Sequence, residues 1–200
     1  MIAISRFNQL TMLASMALYL AWTIGCAGPV GDLKTDINPD DLKPGLSVLY
    51  LDGSYRFVKL IPKGAEAREK GRPGEPILQL NHQFGEGSVF GSGLNRKIGM
   101  QMEGYLHLDT PGTYAFQALS NDGVEIYING KLIVSDPNVH SDRLSDIGEV
   151  SVDTGGWQPF LVRYFQRKGS AALKFYWRPP GSDEFEIVPA QAYGHLSSQR

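Results

Sequence analysis

Residues 111–134 read PGTYAFQALSNDGVEIYINGKLIV, and this stretch decides the fold. Apolar and polar residues alternate on both sides of the polar segment 120–123, which predicts two half-buried β-strands joined by a loop. Asn129-Gly130 then predicts a type I′ turn into a third strand, because both turn residues need a positive φ that asparagine and glycine tolerate. The stretch is therefore typical of consecutive β-hairpins.

The same pattern continues along the chain. Residues 160–165 and 171–177 form strong strand patterns, and a further hairpin is predicted over residues 47–60. The polar residues 62–76 predict a surface excursion with one helical turn at 65–69. About ten short strands and the lack of a long helical period after residue 45 predict an all-β fold, an antiparallel β-sandwich.

The predicted domain covers residues 45–192, and residues 193–200 are assigned to a C-terminal tail. A chain of 200 residues with 42% hydrophobic content can bury an ordinary core. The formal net charge of −2 and the absence of a basic stripe argue against nucleic acid as a partner. With a single cysteine, Cys26, no intrachain disulfide or multi-thiolate zinc site can form.

The first 25 residues are interpreted as a signal peptide. Arg6 is followed by an almost wholly apolar run from Leu10 to Ile24, which is short for a membrane-spanning helix. Gly25-Cys26 then resembles a bacterial lipobox, in which Cys26 becomes the lipidated N-terminus; an ordinary signal peptide with an incidental cysteine is the alternative. Residues 26–44 lack apolar periodicity and are interpreted as a lipid-attached flexible tether.

The globular part resembles the PA14 domain family, a β-sandwich module of surface-exposed and secreted proteins. Several motifs carry this resemblance in the family's order: MEGYL at 102–106, PGTYAF at 111–116, SNDGV at 120–124, INGKL at 128–132, GW at 156–157 and GSAAL at 169–173. Because PA14 domains occur in toxins, adhesins and glycosidase-associated modules, the resemblance implies the fold more directly than the function.

A calcium site is what the resemblance implies for the polar segment 120–123. In sugar-binding PA14 domains, two adjacent aspartates joined by a cis peptide bond coordinate a calcium ion that holds the glycan. The corresponding pair here is Asn121-Asp122. Asp122 is therefore the expected principal ligand, and Asn121 the weaker partner, because an amide oxygen carries no charge. The alternative is a local turn whose side chains bond neighbouring backbone N–H groups.

Further binding residues are expected in two places. The loop 136–142 contains Asp136, Asn138 and Asp142, whose oxygens are predicted to add to the site if the loop approaches Asp122. Trp157 follows a Gly-Gly turn, where its ring would either stack on a sugar or pack at the rim of the core.

Two functions remain open at this stage. The first is a calcium-dependent carbohydrate-binding module on a bacterial cell-envelope lipoprotein, with a glycan or polysaccharide as partner. The second is a non-catalytic envelope protein whose sandwich binds another protein without metal or sugar. No serine elbow, P-loop or paired metal-ligand histidines are present, so the chain is not expected to be an enzyme. Ala27-Gly28 after Cys26 favours, by analogy with lipoproteins, the outer over the inner membrane.

Overall fold

The computed structural model of the chain describes residues 33–83 and 87–197. The predicted signal peptide, residues 1–25, and the predicted lipidation site, Cys26, lie outside these residues. The predicted tether, residues 26–44, is described only from Leu33 onward.

The described residues form strands with one short α-helix. The strands are β1 (Leu42–Pro44), β2 (Ser47–Asp52), β3 (Arg72–Pro73), β4 (Asn81–Gln83), β5 (Ile98–Leu108), β6 (Gly112–Asn121), β7 (Val124–Ile128), β8 (Lys131–Asp136), β9 (Arg143–Leu144), β10 (Gly148–Val152), β11 (Gly156–Gln166), β12 (Ala172–Arg178), β13 (Glu186–Ile187) and β14 (Tyr193–Leu196). The helix α1 covers Gly64–Lys70, and single 3₁₀ turns cover Pro39–Asp41, Val58–Leu60, Val89–Gly91 and Ala190–Ala192.

Two antiparallel sheets contain these strands. The first sheet has the order β1-β14-β5-β11-β7-β8, with β2 also paired to β5 and β3 paired to β2. The second has the order β10-β6-β12-β13, with β4 paired to β12 and β9 paired to β6. In the first sheet, β5 and β11 pair along their whole length, from Ile98 opposite Gln166 to Leu108 opposite Gly156.

The core lies between the two sheets, as strand alternation requires. Phe116 on β6 and Phe175 on β12 stack with ring centroids 5.3 Å apart, and Phe160 on β11 of the other sheet lies 5.6 Å from Phe175. All three side chains are fully buried. The predicted all-β antiparallel sandwich is therefore confirmed.

The Asn129-Gly130 turn joins β7 to β8 as predicted. Asn129 has φ 51° and Gly130 has φ 74°, the positive values that a type I′ turn requires. The turn fixes the register in which Ile128 pairs with Lys131. It also leaves Val124, Ile126 and Ile128 on the buried face of the sheet.

The hairpin predicted over residues 47–60 is wrong in its second half. Strand β2 forms, but it pairs with β5 and β3. After Asp52 the chain turns away, and residues 53–61 lie on the outer face of the first sheet, where Val58 and Ile61 pack in a second apolar cluster with Phe165. Burying these two side chains against an existing sheet outweighs the local strand pattern. The helical turn predicted at 65–69 is confirmed as α1.

The sheet extends beyond the predicted domain boundaries at both ends. Strand β1, in the predicted tether, pairs with β14, in the predicted tail, through Leu42 opposite Leu196. Strand β14 also pairs with β5 through Tyr193 and Gly194. Neither segment has a strand pattern of its own; each is ordered by the backbone hydrogen bonds that the neighbouring edge offers. Among the described residues, the structure contains no helix of the length and apolarity needed to span a membrane.

Candidate functional site

Three loops come together at one end of the sandwich. They follow β6, β8 and β11, and their residues are 120–123, 137–142 and 167–171. We call this group of loops the tip. It brings the predicted residues Asn121 and Asp142 into direct contact, and it places Asp122 beside the end of β11.

Asn121 connects two parts of the tip. Its side-chain Nδ2 donates to Asp142 Oδ1 at 2.7 Å, and its main-chain oxygen accepts from the Tyr164 hydroxyl at 2.5 Å. The peptide bond between Asn121 and Asp122 is cis, as the resemblance implies for this pair. The amide of Asn121 thus lies against the carboxylate of Asp142, where a carboxylate at position 121 would meet a second negative charge.

Asp122 is almost fully buried, with 1% of its surface exposed. Its Oδ2 accepts a hydrogen bond of 2.7 Å from the backbone N–H of Arg167. The alternative of a local turn predicted bonds to neighbouring backbone groups, whereas this bond joins segments 45 residues apart. Asp122 therefore fixes the loop after β11 to the loop after β6.

Gln166, the last residue of β11, lies beside the tip and is not among the site residues predicted from the sequence. It is fully buried, and its Nε2 lies 3.0, 3.3 and 3.1 Å from the main-chain oxygens of Lys168, Gly169 and Ser170. An amide nitrogen carries two hydrogens, so three carbonyl oxygens converge on a point that offers two donors. The only sequence signal was a polar residue directly after the strand pattern 160–165, which also fits an ordinary strand end.

Tyr164 lies beneath the tip. Its single hydroxyl hydrogen is directed to the main-chain oxygen of Asn121, and Gln166 Oε1 lies farther away, 3.2 Å from the hydroxyl oxygen. Burial raises the pKa of the Tyr164 hydroxyl well above its usual range, and the negative charges of Asp122 and Asp142 raise it further. The phenol is thus held in its neutral, donating form.

Asp136 is engaged in ion pairing at the start of the loop 137–142. Its carboxylate accepts from Arg143 Nε at 2.7 Å and from Arg143 Nη2, while His140 Nε2 lies 3.1 Å away without the alignment of a hydrogen bond. Asn138 is exposed, and its backbone pairs with Phe57 in an isolated β-bridge. These contacts of Asp136 and Asn138 hold the loop 137–142 in its conformation.

Trp157 lies at the other end of the molecule. It stands at the start of β11, opposite His107, whose ring centroid is 4.8 Å away. Gln166 at the end of the same strand is about 30 Å distant, at the usual rise per residue. The indole also lies so close to Gly194 that an added Cβ there would be 3.1 Å from the ring. The structure thus separates Trp157 from the tip, and the rim-packing alternative describes its contacts.

The oxygen atoms of the tip fit a calcium ion by their chemistry. They include the Asp122 carboxylate and the Asn121 amide oxygen, whereas the main-chain oxygens 168–170 are turned toward the Gln166 amide nitrogen. Calcium binds carboxylate, amide and carbonyl oxygens and tolerates irregular geometry. Within residues 33–83 and 87–197, no three His, Cys, Asp or Glu side chains come together as a metal-binding group. A calcium site here would therefore have Asp122 as its carboxylate ligand and the amide oxygen of Asn121 as an uncharged one.

Three solved structures have folds similar to the fold of this chain. An anti-sigma factor domain-containing protein from Clostridium clariflavum matches with a TM-score of 0.59 and 19% identity, over 76% of this chain and 47% of that chain. The PA14 sugar-binding domain from an RTX adhesin matches with 0.55 and 19%, over 76% and 98%. The epithelial adhesin 9 A domain from Candida glabrata, solved with Galβ1-3GlcNAc, matches with 0.60 and 13%, over 80% and 93%.

These likenesses establish a shared fold at low identity. The chain spans about half the length of the two anti-sigma factor domain-containing proteins it matches. No curated protein matches the chain at a significant level. A family model for the PA14 domain matches residues 85–191, more than half of the 200 residues. The chain belongs to the PA14 domain family.

Proposed function

We propose that this protein is a carbohydrate-binding PA14 module whose glycan site is the tip. One observation carries the proposal: the buried Asp122, the amide of Asn121 and the carbonyl oxygens around Gln166 are gathered at one end of the sandwich. Support also comes from the RTX adhesin domain described as sugar-binding and from the Candida glabrata adhesin domain solved with a disaccharide.

Calcium is the proposed cofactor. Asp122 would hold it through the carboxylate and Asn121 through the side-chain oxygen. When bound, the ion would offer coordination positions to two neighbouring sugar hydroxyls. Asn121 leaves the site one negative charge short of an aspartate pair, so we expect weaker calcium binding than such a pair would give.

The other tip residues position these groups. The Tyr164 hydroxyl holds the main-chain oxygen of Asn121, and the Arg167 N–H orients the Asp122 carboxylate. The pairing of Asp136 with Arg143 joins the two ends of the loop 137–142. The proposed role is therefore binding on a rigid scaffold and not catalysis.

A cell-envelope location completes the proposal. The sequence of residues 1–44 supports a lipoprotein anchored to the outer membrane through Cys26, with the sandwich carried on the segment that precedes β1. A firm anchor would follow from several acyl chains, because each buried CH₂ contributes about 0.8 kcal/mol. Mass spectrometry of the N-terminal peptide tests this part, and an unmodified Cys26 in the mature protein would contradict it.

The binding proposal is tested with the purified protein on a glycan array, in calcium and in chelator. Calcium at a hundredfold excess over its dissociation constant stabilises the native state by about 2.7 kcal/mol, which corresponds to a rise of about 5–10 °C in Tm. Asp122→Asn keeps the shape of the side chain and should abolish both the Tm rise and glycan binding. Asp153→Asn removes a charge from an exposed loop near the start of β11 and should leave both unchanged.

Asn121→Asp tests the charge argument. In chelator it places a carboxylate against Asp142 and removes the 2.7 Å hydrogen bond, so the variant should melt below the parent. In calcium the added charge should strengthen metal binding, so the Tm rise should exceed that of the parent. Silence of the parent on the array, together with no Tm change in calcium, would refute the proposed function.

A further inference from the structure

Residues 57–60, which we call the rim segment, expose large apolar side chains beside buried ones. Phe57 and Leu60 expose 41% and 54% of their surface, while Val58 is fully buried in the second apolar cluster. The 3₁₀ turn Val58–Leu60 closes with a hydrogen bond from Ile61 N to Val58 O of 3.0 Å. The exposed side chains are thus presented from a backbone that its buried neighbour holds in place.

The rim segment is attached to the tip by its backbone. Val58 N donates to Pro137 O at 3.0 Å, and Phe57 pairs with Asn138. Pro137 in turn lies against Gly123, where an added Cβ would be 2.8 Å from the Pro137 carbonyl. Gly123 directly follows Asp122. Two contacts therefore separate the rim segment from the principal residue of the proposed site.

These backbone contacts set the distance between Phe57 and Gly123. Paired backbones lie about 5 Å apart, so Phe57 lies on the order of 10 Å from Gly123 across the intervening loop. A glycan of more than one unit, held at Asn121-Asp122, can extend over such a distance. A single sugar ring at the tip does not reach this far.

The chemistry of the rim segment suits a sugar ring. The Phe57 ring, 41% exposed, supplies an apolar surface, and Lys59 Nζ lies over one face of the ring, 5.4 Å from its centroid, as a nearby cationic donor. Binding sites for polar ligands commonly combine aromatic side chains with a few well-placed donors. Single exposed apolar residues are ordinary, but Phe57 and Leu60 belong to one turn, and the backbone of Phe57 pairs with Asn138 of the tip.

We propose that the rim segment is a second subsite, in which Phe57 stacks on the glycan unit adjacent to the one bound at the tip. This inference rests on the proposed function of the tip. It assigns a role to the segment 53–61 that follows β2, and it makes the protein selective for oligosaccharides over their terminal monosaccharide.

The test compares variants of the full chain by calorimetric titration. The probes are the disaccharide that binds most strongly on the array and its terminal monosaccharide. Phe57→Ala should weaken disaccharide binding about tenfold, as truncation of a contacting aromatic does, and leave monosaccharide binding unchanged. Phe57→Tyr should retain disaccharide binding because the ring remains. Leu78→Ala truncates an exposed apolar side chain on another segment and should change neither affinity.

The outcomes separate this inference from the proposed function. If the parent binds and Phe57→Ala binds the disaccharide equally well, the rim subsite is refuted and the tip site stands. If Phe57→Ala weakens both probes by the same factor, the segment supports the tip and is not a separate subsite, which also refutes the inference. If the parent binds neither probe, both proposals fail. Unchanged Tm values in the variants check that the fold is intact.

Discussion

The Tyr164 hydroxyl should contribute measurably to the stability of this fold. Tyr164→Phe removes one hydroxyl, whose hydrogen is donated to Asn121 O at 2.5 Å and whose oxygen lies 3.2 Å from Gln166 Oε1. The side chain is fully buried, so water cannot replace the lost donor. A buried acceptor left without a partner costs about 1–3 kcal/mol, and we expect a loss of this size in the free energy of unfolding.

Tyr193 provides the matched control. Its hydroxyl is as deeply buried but makes no well-aligned hydrogen bond, although the main chain of Leu80 is near enough to lower its pKa slightly against the rise caused by burial. Tyr193→Phe therefore removes an oxygen whose desolvation is poorly compensated. The expected change is below about 1 kcal/mol, in either direction.

Urea denaturation of the parent and the two variants measures both changes. The midpoint should shift for Tyr164→Phe without a change in slope, since the surface exposed on unfolding stays the same. Because the folded-state pKa of Tyr164 is raised, its contribution is present below the unfolded-state pKa of about 10 and is lost as pH rises above that value. Equal midpoints for the two variants would refute the argument that the tip depends on this hydroxyl.

Three further predictions concern the scaffold. Gly130→Ala should cost about 1 kcal/mol in urea titration, because φ is 74° and no atom lies near enough to add a clash; a neutral result would contradict the assigned turn. Gly148→Ala should cost about 1–3 kcal/mol in the same assay, because its Cβ would lie 1.9 Å from Ile133 O; equal stability would contradict this close approach. Burial lowers the pKa of His82, so the free energy of unfolding should fall as pH decreases below about 6.5. His82→Asn should make this decrease shallower, and equal pH dependence of the unfolding free energy in the parent and the variant would refute the idea.

The strands that alternate strongly were predictable from the sequence. Tyr114, Phe116 and Ala118 on β6 and Leu173 and Phe175 on β12 all face the core, because a strand period of two leaves no other way to bury one apolar face. The Asn129-Gly130 turn was predictable for a local reason as well, since few residue pairs accept two positive φ values. In both cases the deciding physics lies within a few residues of chain.

The segments whose structure the local sequence pattern did not predict depend on partners far away in the sequence. Residues 53–61 alternate as a strand does, yet they cover the outer face of the first sheet against Phe165, which lies about a hundred residues later. Strand β1 forms only because β14 supplies an edge. A local pattern contains no information about such an edge or face, so tertiary packing decides.

The tip shows the same division between local and distant causes. The resemblance pointed to Asn121-Asp122, but the role of Gln166 follows from carbonyl oxygens that a turn brings around its amide. Separating Trp157 from the tip required the register of β5 and β11, which no single stretch reveals. The sequence therefore indicated which residue types occur in the site more readily than which residues lie together in it.

Asn121 explains how the tip can hold together without a bound cation. Two carboxylates at the distance that separates Asn121 Nδ2 from Asp142 Oδ1, 2.7 Å, would repel each other unless a metal ion or a proton lay between them. The amide replaces that repulsion with a hydrogen bond, at the cost of one charge for the metal. In the proposed calcium site, stability of the metal-free tip and affinity for the ion would thus be opposed at this one position. It follows that the parent should be less dependent on calcium for folding than Asn121→Asp, and that glycan binding, if it requires the ion, should need higher calcium concentrations in the parent than in that variant.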